Sequence, residues 1–308
     1  VERILVTPRS LTATPHPAVE ALRAQGFDLV YSTPNALPDE SELCRLLPGT
    51  VGWLAGVEPV STRALGSADA LRVVSRNGSG VDNLPLPLLA ERGITLCRAD
   101  GGNAAGVAEL SVALALAALR QIPFADAGIK AGGWPRRRGR EIRGRSVGVV
   151  GCGAVGGEAA RLFAALGADI LAFDPARPPL DIAPERVRWV DLATLFREAD
   201  IVTFHCPIMP DGRPLLDRAA LAAMKSDAVV VNTARAGLVD EAALLEALEA
   251  ERLFAYATDV FAEEPPRSLV LAGHSRVIAT SHIGGFTEES VDRVTALAVE
   301  NLVRALRA

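Results

Sequence analysis

Short apolar runs rich in Val, Ile and Leu alternate along the chain with stretches whose apolar residues recur at helical spacing. In the first hundred residues this pattern predicts strands near 3–6, 28–31, 51–55, 72–75 and 94–97. Helices near 17–25, 40–47, 61–68 and 85–91 separate them. The Ala/Leu-rich stretch from Asn103 to Arg120 predicts a long helix joining two domains, and a Gly- and Arg-rich segment around Trp134 follows it. A second series then predicts strands near 146–150, 169–173, 187–190, 201–205, 228–232, 254–258 and 276–279, and an amphipathic helix near 287–307 closes the chain. Strands that alternate with helices build parallel sheets covered on both faces. The expectation is therefore an α/β protein of two doubly wound domains. One is residues 1–100 plus 286–308, and the other is 101–285, inserted into it. Ligands of such sheets bind at the C-terminal ends of the strands.

The most informative local unit is Arg145-Ser-Val-Gly-Val-Val150, then Gly151-Cys-Gly-Ala-Val-Gly-Gly157, a helical stretch, and Ile170-Leu-Ala-Phe-Asp174. This is a G-x-G-x-x-G loop between a strand and a helix, with an acid about twenty positions further on. Gly151 suits a tight turn, Gly153 the close approach of a pyrophosphate, and Gly156 the packing of helix on strand. Unpaired N–H groups at the helix start favour phosphate. Asp174 is placed to accept hydrogen bonds from an adenosine ribose. The unit predicts dinucleotide binding.

Composition narrows the classes. A net charge of −5 argues against a general nucleic-acid or membrane-surface binder. Apolar runs are interrupted before spanning length, and Ile4-Leu-Val6 before Thr7-Pro8 reads as a first strand, not a leader. Cys44, Cys97, Cys152 and Cys206 have no metal-site spacing and fit reduced thiols in a cytoplasm, and no metal is expected.

Four histidines are few enough to weigh singly. His16, between two prolines, and His274 read as surface residues without a chemical role. His205 ends a strand and precedes Cys206-Pro207, where it would orient a loop or cofactor. His282 follows the strand Arg276-Val-Ile-Ala-Thr280 and precedes Ile283-Gly-Gly285, a place suited to general acid/base work. Arg235 lies just past the buried run Val229-Val-Val-Asn232, where a guanidinium can capture a carboxylate bidentately. Asp259 ends another strand, and Glu263 and Glu264 follow it. A carboxylate on the second nitrogen of a histidine fixes its tautomer and raises its pKa, but spacing leaves Glu263 and Glu264 both open for that part.

Several segments together resemble the D-isomer-specific 2-hydroxyacid dehydrogenases. They are Asn77-Gly-Ser-Gly-Val-Asp-Asn83, Asn103-Ala-Ala-Gly-Val-Ala-Glu109, the glycine loop with Asp174, Val231-Asn-Thr-Ala-Arg-Ala-Gly-Leu-Val-Asp240, Asp259-Val-Phe-Ala-Glu-Glu-Pro265 and Ser281-His-Ile-Gly-Gly285. The resemblance implies a Rossmann NAD-binding domain inserted in a smaller, flavodoxin-like substrate domain. It implies hydride transfer between nicotinamide and a D-2-hydroxyacid/2-keto acid pair. It makes Arg235, Glu264 and His282 the catalytic trio, choosing the glutamate directly before the proline. It places cofactor contacts at Gly151, Gly153, Ala154, Val155, Gly156, Asp174, His205, Cys206, Pro207, Thr233, Ala234, Arg235, Asp259, His282, Gly284 and Gly285. Substrate contacts fall on Ser79, Gly80 and Val81, with Arg235 and His282. Domain closure would put hinges near 98–103 and 285–288. Asp174 favours NAD over NADP, with Arg177 nearby as the counter-argument.

Departures from the family pattern are equally legible. Leu84-Pro85 replaces the usual continuation of the Asp-Asn motif and fits a helix start. The loop Trp53-Leu-Ala-Gly-Val-Glu-Pro-Val60 lacks the arginine many relatives carry, which disfavours phosphoglycerate; Arg76 is the candidate to compensate. With nothing after Ala308, the short form of the family is implied. A glutamate at 264 disfavours a formate dehydrogenase relative. A phosphite oxidoreductase and a non-catalytic NAD-sensing protein are the alternatives. Arg136, Arg137, Arg138, Arg140, Arg143 and Arg145, with Trp134, read as a solvated or interface arm and not a nucleic-acid site. The resemblance implies a homodimer through the 101–145 arm.

Overall fold

The computed structural model describes residues 1–308. The chain divides into two compact units, Val1–Asn103 with Thr287–Ala308, and Ala104–Phe286. It passes from one to the other between Asn103 and Ala104 and again between Phe286 and Thr287.

The first unit holds β1 (Glu2–Val6), α1 (Arg9–Ala13), α2 (Pro17–Ala24), β2 (Phe27–Tyr31), α3 (Glu40–Leu46), β3 (Thr50–Ala55), α4 (Thr62–Gly66), β4 (Val73–Arg76), α5 (Leu86–Glu91) and β5 (Thr95–Arg98). Its five strands are parallel in the order β2-β1-β3-β4-β5. Alternation along each strand feeds two cores. Ile4, Val6, Leu54 and Val73 pack on one face with Val19 and Leu22 of α2. Leu5, Trp53, Ala55 and Val74 pack on the other with Leu43, Ala64 and Leu65. The terminal helix α12 (Glu288–Arg307) completes the first of these cores with Val294, Ala298, Val299 and Leu302. Its docking on β3 is close: a Cβ built on Gly52 would stand 3.1 Å from both Leu302 and Leu306. Thr287 caps this helix through its hydroxyl, Glu288 and Glu289 occupy the first turn, and Arg304 and Arg307 the last, as the helix dipole favours.

The second unit begins with α6 (Ala104–Arg120) and α7 (Ile122–Lys130). Then come β6 (Ser146–Val150), α8 (Ala154–Ala165), β7 (Asp169–Phe173), β8 (Val187–Trp189), α9 (Leu192–Glu198), β9 (Ile201–Phe204), α10 (Arg218–Ala223), β10 (Val229–Asn232), α11 (Glu241–Glu249), β11 (Ala255–Thr258) and β12 (Val277–Ala279). Seven parallel strands lie in the order β12-β11-β10-β9-β6-β7-β8. The order reverses between β6 and β9, which is the switch point of a doubly wound sheet. Val147, Val149, Ile201, Val229, Val231, Ala255 and Ala257 face a core shared with Ala108, Leu114 and Ala115 of α6 and Ala159, Ala160 and Phe163 of α8. Val150, Val202, Phe204, Val230 and Tyr256 face the opposite core with Leu195, Leu221 and Leu244.

Helix α6 belongs to the second unit, and its Ala/Leu face covers that sheet. Two local expectations need correction. The helix does not end the helical run. Gln121, at φ 55°, breaks it, and α7 follows at a bend of 65°. Finally, His16 is more than a surface residue. Its Nδ1 accepts the Ala18 N–H at 3.2 Å and so caps α2, while Nε2 lies 3.2 Å from Asp292.

Because Leu302 is fully buried against the sheet of the first unit, Leu302→Ala should cost that unit about 2–5 kcal/mol. Chemical denaturation of the full chain, followed by Trp53 fluorescence, measures it; a loss below about 0.5 kcal/mol would show that α12 contributes little to this core.

Candidate active site

Every candidate side chain of the second unit is placed by a loop leaving the C-terminal end of a parallel strand. The ladder extends one step into these loops. Gly151 N–H donates to the Phe173 carbonyl at 2.8 Å, His205 N–H to Val150 at 2.8 Å, Asp259 N–H to Asn232 at 3.0 Å and Thr280 N–H to Thr258 at 3.0 Å. The loops therefore inherit the register of the sheet.

At the switch point, Gly151 has φ +87°, and a Cβ there would lie 2.7 Å from the His205 carbonyl oxygen. A Cβ on Gly156 would lie 1.8 Å from the Gly151 carbonyl oxygen, so the helix can start this close to the strand only with glycine. Gly153, which caps α8, has no atom within 4 Å of its built Cβ. The three glycines thus divide their work: two allow close packing of the protein on itself and one leaves open space at a helix N-terminus. That space, bordered by the Ala154 and Val155 amides of a three-turn helix, fits a pyrophosphate. Asp174 stands one residue past β7. Its Oδ2 accepts the Cys152 N–H at 2.9 Å and its Oδ1 the Ala176 N–H at 2.8 Å, so the loop itself holds the carboxylate at the edge where a ribose would lie. The residues present fit a dinucleotide.

Across the switch point, His205 keeps a neutral ring. Its Nε2 is 2.9 Å from the Thr203 hydroxyl, and its Nδ1 is buried without a hydrogen-bond partner. Burial pushes its pKa down to about 3. It supports the loop before Cys206 and Pro207 and is unsuited to carry a proton near neutral pH. Burial also pushes the thiol of Cys152 up to about 12 and that of Cys206 up to about 11, so both behave as small apolar groups.

Three further loops form the second half of the site. Asn232, fully buried at the end of β10, accepts the Ala234 N–H at 3.1 Å and donates to the Arg235 carbonyl at 2.9 Å. Its amide shapes the turn that presents Arg235, whose Nη1 donates to the Ala234 carbonyl at 2.7 Å. Thr233 is fixed by a 2.7 Å hydrogen bond to Ser111 of α6. After β11, Asp259 is 1% exposed and accepts three hydrogen bonds: from the Thr280 hydroxyl at 2.6 Å, from Ile283 N–H at 2.8 Å and from Gly284 N–H at 2.8 Å. These donors all belong to the segment carrying His282, which adopts a left-handed φ of 55°. Such a conformation costs a non-glycine residue energy and is typical of residues held for a purpose.

His282 Nδ1 donates to Glu264 Oε2 at 2.7 Å. The neighbouring Glu263 points elsewhere and pairs with Arg267 at 3.0 Å, which decides between the two glutamates. Glu264 is itself oriented by the Phe261 N–H at 3.1 Å. The hydrogen bond to Glu264 raises the His282 pKa above its usual 6.5, against the partial burial of the ring and the charge of Arg235. Burial alone would raise the Glu264 carboxyl, but the His282 hydrogen bond and charge, with the Phe261 amide and Arg235, hold it below its usual range. The pair favours the charged form of each group, and Nε2 is the ring nitrogen left for a ligand.

The second unit thus brings Arg235, Glu264 and His282 onto the loops after β10, β11 and β12, beside the glycine loop, Thr233, Ala234, Asp259, Gly284 and Gly285. Ser79, Gly80 and Val81 belong to the first unit, in the loop after β4. The positioning residues Ser111, Asn232 and Thr280 were not among the sequence candidates. Asn232 alone carried a signal, a single amide ending a run of buried valines.

Residues 112–284 match the model of the D-isomer specific 2-hydroxyacid dehydrogenase NAD binding domain. The hydroxypyruvate reductase of Thermotoga maritima is 35% identical over 274 residues, 87% of this chain and 89% of that one. The D-3-phosphoglycerate dehydrogenase of Methanocaldococcus jannaschii is 38% identical over 251 residues, 80% of this chain but 48% of its own length; the chain spans about half of that relative. Among solved structures, the TT0316 protein from Thermus thermophilus superposes with a TM-score of 0.88 at 32% identity, over 99% of this chain and 97% of that one. The glycine loop, the family model that spans it and the relatives that extend beyond it agree: the chain belongs to the D-isomer-specific 2-hydroxyacid dehydrogenase family and carries its NAD-binding domain.

Proposed function

We propose that this protein interconverts a 2-keto acid and the corresponding D-2-hydroxy acid, with NAD(H) as the redox partner. The observation that carries the reading is the 2.7 Å hydrogen bond between His282 and Glu264, on the strand-end loops next to the one that holds Arg235. In reduction, bound NADH supplies the hydride to the keto carbon. His282 gives its Nε2 proton to the carbonyl oxygen as charge develops there, and Glu264 stabilises the imidazolium before transfer. Arg235 binds the substrate carboxylate and draws electron density from the adjacent carbonyl. In oxidation neutral His282 takes the hydroxyl proton. Backbone groups of Ser79, Gly80 and Val81 are proposed to share the substrate carboxylate. The remaining glycine-loop and strand-end residues, from Gly151 to Gly285, are proposed to bind the cofactor. Asp174 supports NAD over NADP because a carboxylate at the end of β7 repels a 2′-phosphate.

The same reading makes the protein a homodimer. Support comes from α7, which buries none of its residues and exposes Ile122 and Ile129, and from Trp134, 82% exposed beyond it. Three of the arm's arginines are engaged within the second unit: Arg137 stacks 3.5 Å over Phe124, Arg140 lies over Phe254 and pairs with Asp227 at 2.9 Å, and Arg145 lies 3.8 Å from Asp200. The exposed Ile122, Ile129 and Trp134 support a protein partner. No single helix is long and apolar enough to cross a membrane. Four free thiols fit a cytoplasmic setting.

NADH loss with a panel of 2-keto acids, including hydroxypyruvate, glyoxylate, pyruvate and phenylpyruvate, tests the reaction. At least one should be turned over, and His282→Ala should lower that kcat by roughly 10²–10⁴-fold with NADH binding retained. No turnover with intact NADH binding would instead favour phosphite oxidation or a sensing role.

The pH profile follows from the raised His282 pKa. Reduction needs the imidazolium, so it should run fully below the ordinary 6.5 and fall away only as pH rises through the higher value. Glu264→Gln should move that alkaline limb to lower pH; an unmoved limb would detach Glu264 from the proton transfer.

Light scattering should give a dimer, and Ile122→Glu with Ile129→Glu should yield a folded monomer. A monomeric wild type would remove the dimer from the proposal.

A further inference from the structure

The hydrogen bond between Ser111 and Thr233, both of the second unit, has a direction that its surroundings dictate. Ser111 lies on α6 and is fully buried. Its hydroxyl donates to the Val107 carbonyl, one helical turn back, at 2.8 Å. A serine has one hydroxyl proton, and a carbonyl oxygen only accepts. The 2.7 Å bond between Ser111 and Thr233 therefore takes its proton from Thr233. Were the Ser111 proton turned toward Thr233 instead, the Ser111 and Val107 oxygens would face each other at 2.8 Å with no proton between them. Thr233, only 8% exposed, keeps lone pairs but no proton to offer a ligand.

The place of Thr233 in the sheet gives this polarity a use. The switch point lies between β6 and β9, and a dinucleotide crosses such a point with one half on either side. Asp174, past the end of β7, marks the adenosine side. Thr233, past the end of β10, stands on the other side, with Arg235, Glu264 and His282. Helix α6 backs that side at a second point. A Cβ built on Gly284 would lie 3.1 Å from Asp259 Oδ2, 3.4 Å from Val107 Cγ2 and 3.5 Å from Leu110 Cδ2. Val107 thus supports the loop after β12 with its side chain, and with its carbonyl it fixes the proton of Ser111. One turn of α6 sets both the position of these loops and the polarity of Thr233.

We propose that Ser111 is a positioning residue for the cofactor: by taking the Thr233 proton it makes Thr233 an acceptor only, so that the site prefers a pyridine ring whose substituent donates an N–H, as the carboxamide of NAD does, over one that carries a carbonyl alone. This rests on the reading of Thr233 as a cofactor contact. A substituent without an N–H leaves the lone pairs of Thr233 without a donor in a nearly closed place, and Thr233 has no proton with which to meet the substituent's own oxygen. Ser111 touches no ligand in this scheme and acts through Thr233.

Calorimetric titration of the full chain with NAD and with its 3-acetylpyridine analogue, in which a methyl replaces the amide NH2, reads this preference without any turnover. The wild type should bind NAD about three- to tenfold more tightly, the worth of one hydrogen bond. Ser111→Ala returns a proton to Thr233, which then meets either substituent, so the two dinucleotides should bind within about twofold of each other. Thr233→Val, nearly isosteric and without lone pairs, should also lose the preference, by weakening NAD and leaving the analogue unchanged. Equal binding of both by the wild type overturns the proposal and needs no variant to fold. So does a Ser111→Ala protein with wild-type circular dichroism and the full preference, because another acceptor, such as Asp259, then supplies it. If Ser111→Ala does not fold, Thr233→Val decides: a retained preference overturns the proposal, and a lost one supports it. Binding without discrimination defeats the role of Ser111 alone, whereas no binding of either dinucleotide defeats the reading of these loops as a cofactor site and the proposal with it.

Discussion

The buried carboxylate of Asp259 is the interaction on which the catalytic half of the site depends. It accepts three hydrogen bonds from the chain around His282, one from a hydroxyl and two from backbone amides. Without them a non-glycine residue would have little reason to sit at a φ of 55°. The anion also contributes, after Glu264, to holding the imidazole in its charged form. One buried carboxylate therefore fixes where the histidine points and adds, behind Glu264, to how readily it keeps its proton. A buried anion of this kind is costly unless its oxygens are satisfied, and here loop amides and a hydroxyl satisfy them.

The same arrangement recurs across the molecule. Carboxylates at the C-terminal ends of parallel strands are not left for solvent; loop N–H groups hold them. Asp174 is fixed by Cys152 and Ala176, Asp259 by Ile283 and Gly284, and Glu58 by Gly56. Parallel strands deliver loops with unsatisfied amides to one edge, and acidic side chains complete them. Where such an acid is also half-exposed and beside a histidine, as at Glu264, it tunes proton transfer. Where it is wholly buried, as at Glu58, it braces its own loop.

Glycine has the complementary part. At Gly151 and Gly156 the absent Cβ lets strand, turn and helix approach to distances no side chain tolerates. At Gly153 the same absence leaves space that the protein does not fill. A motif of three glycines thus contains two different physical demands, and only coordinates separate them. The family model and the relatives place the motif in an NAD-binding domain, and the open position is the one beside the helix N-terminus.

Much of this was legible in the sequence, because alternation and glycine punctuation are local signals. The strands of both sheets, the glycine loop with Asp174, and the positions of Arg235 and His282 past strand ends all follow from runs of a few residues. The end of α6 at Arg120 was legible, but the helix α7 beyond the left-handed Gln121 was not, since that turn has no strong sequence mark. The capping role of His16 depended on a turn that spacing does not encode. Glu263 and Glu264 are adjacent and chemically identical, so spacing could not choose between them, and only the path of the loop turned one toward His282 and the other toward Arg267. The links from Ser111 to Thr233 and from Asp259 to Thr280 join residues far apart in the chain, and no local pattern announces them. By itself the sequence determined the two α/β units, the dinucleotide loop and the residue types at the strand ends. The tertiary structure decided which carboxylate meets which donor, because that depends on strand order and the turns between strands, which bring distant loops to one edge.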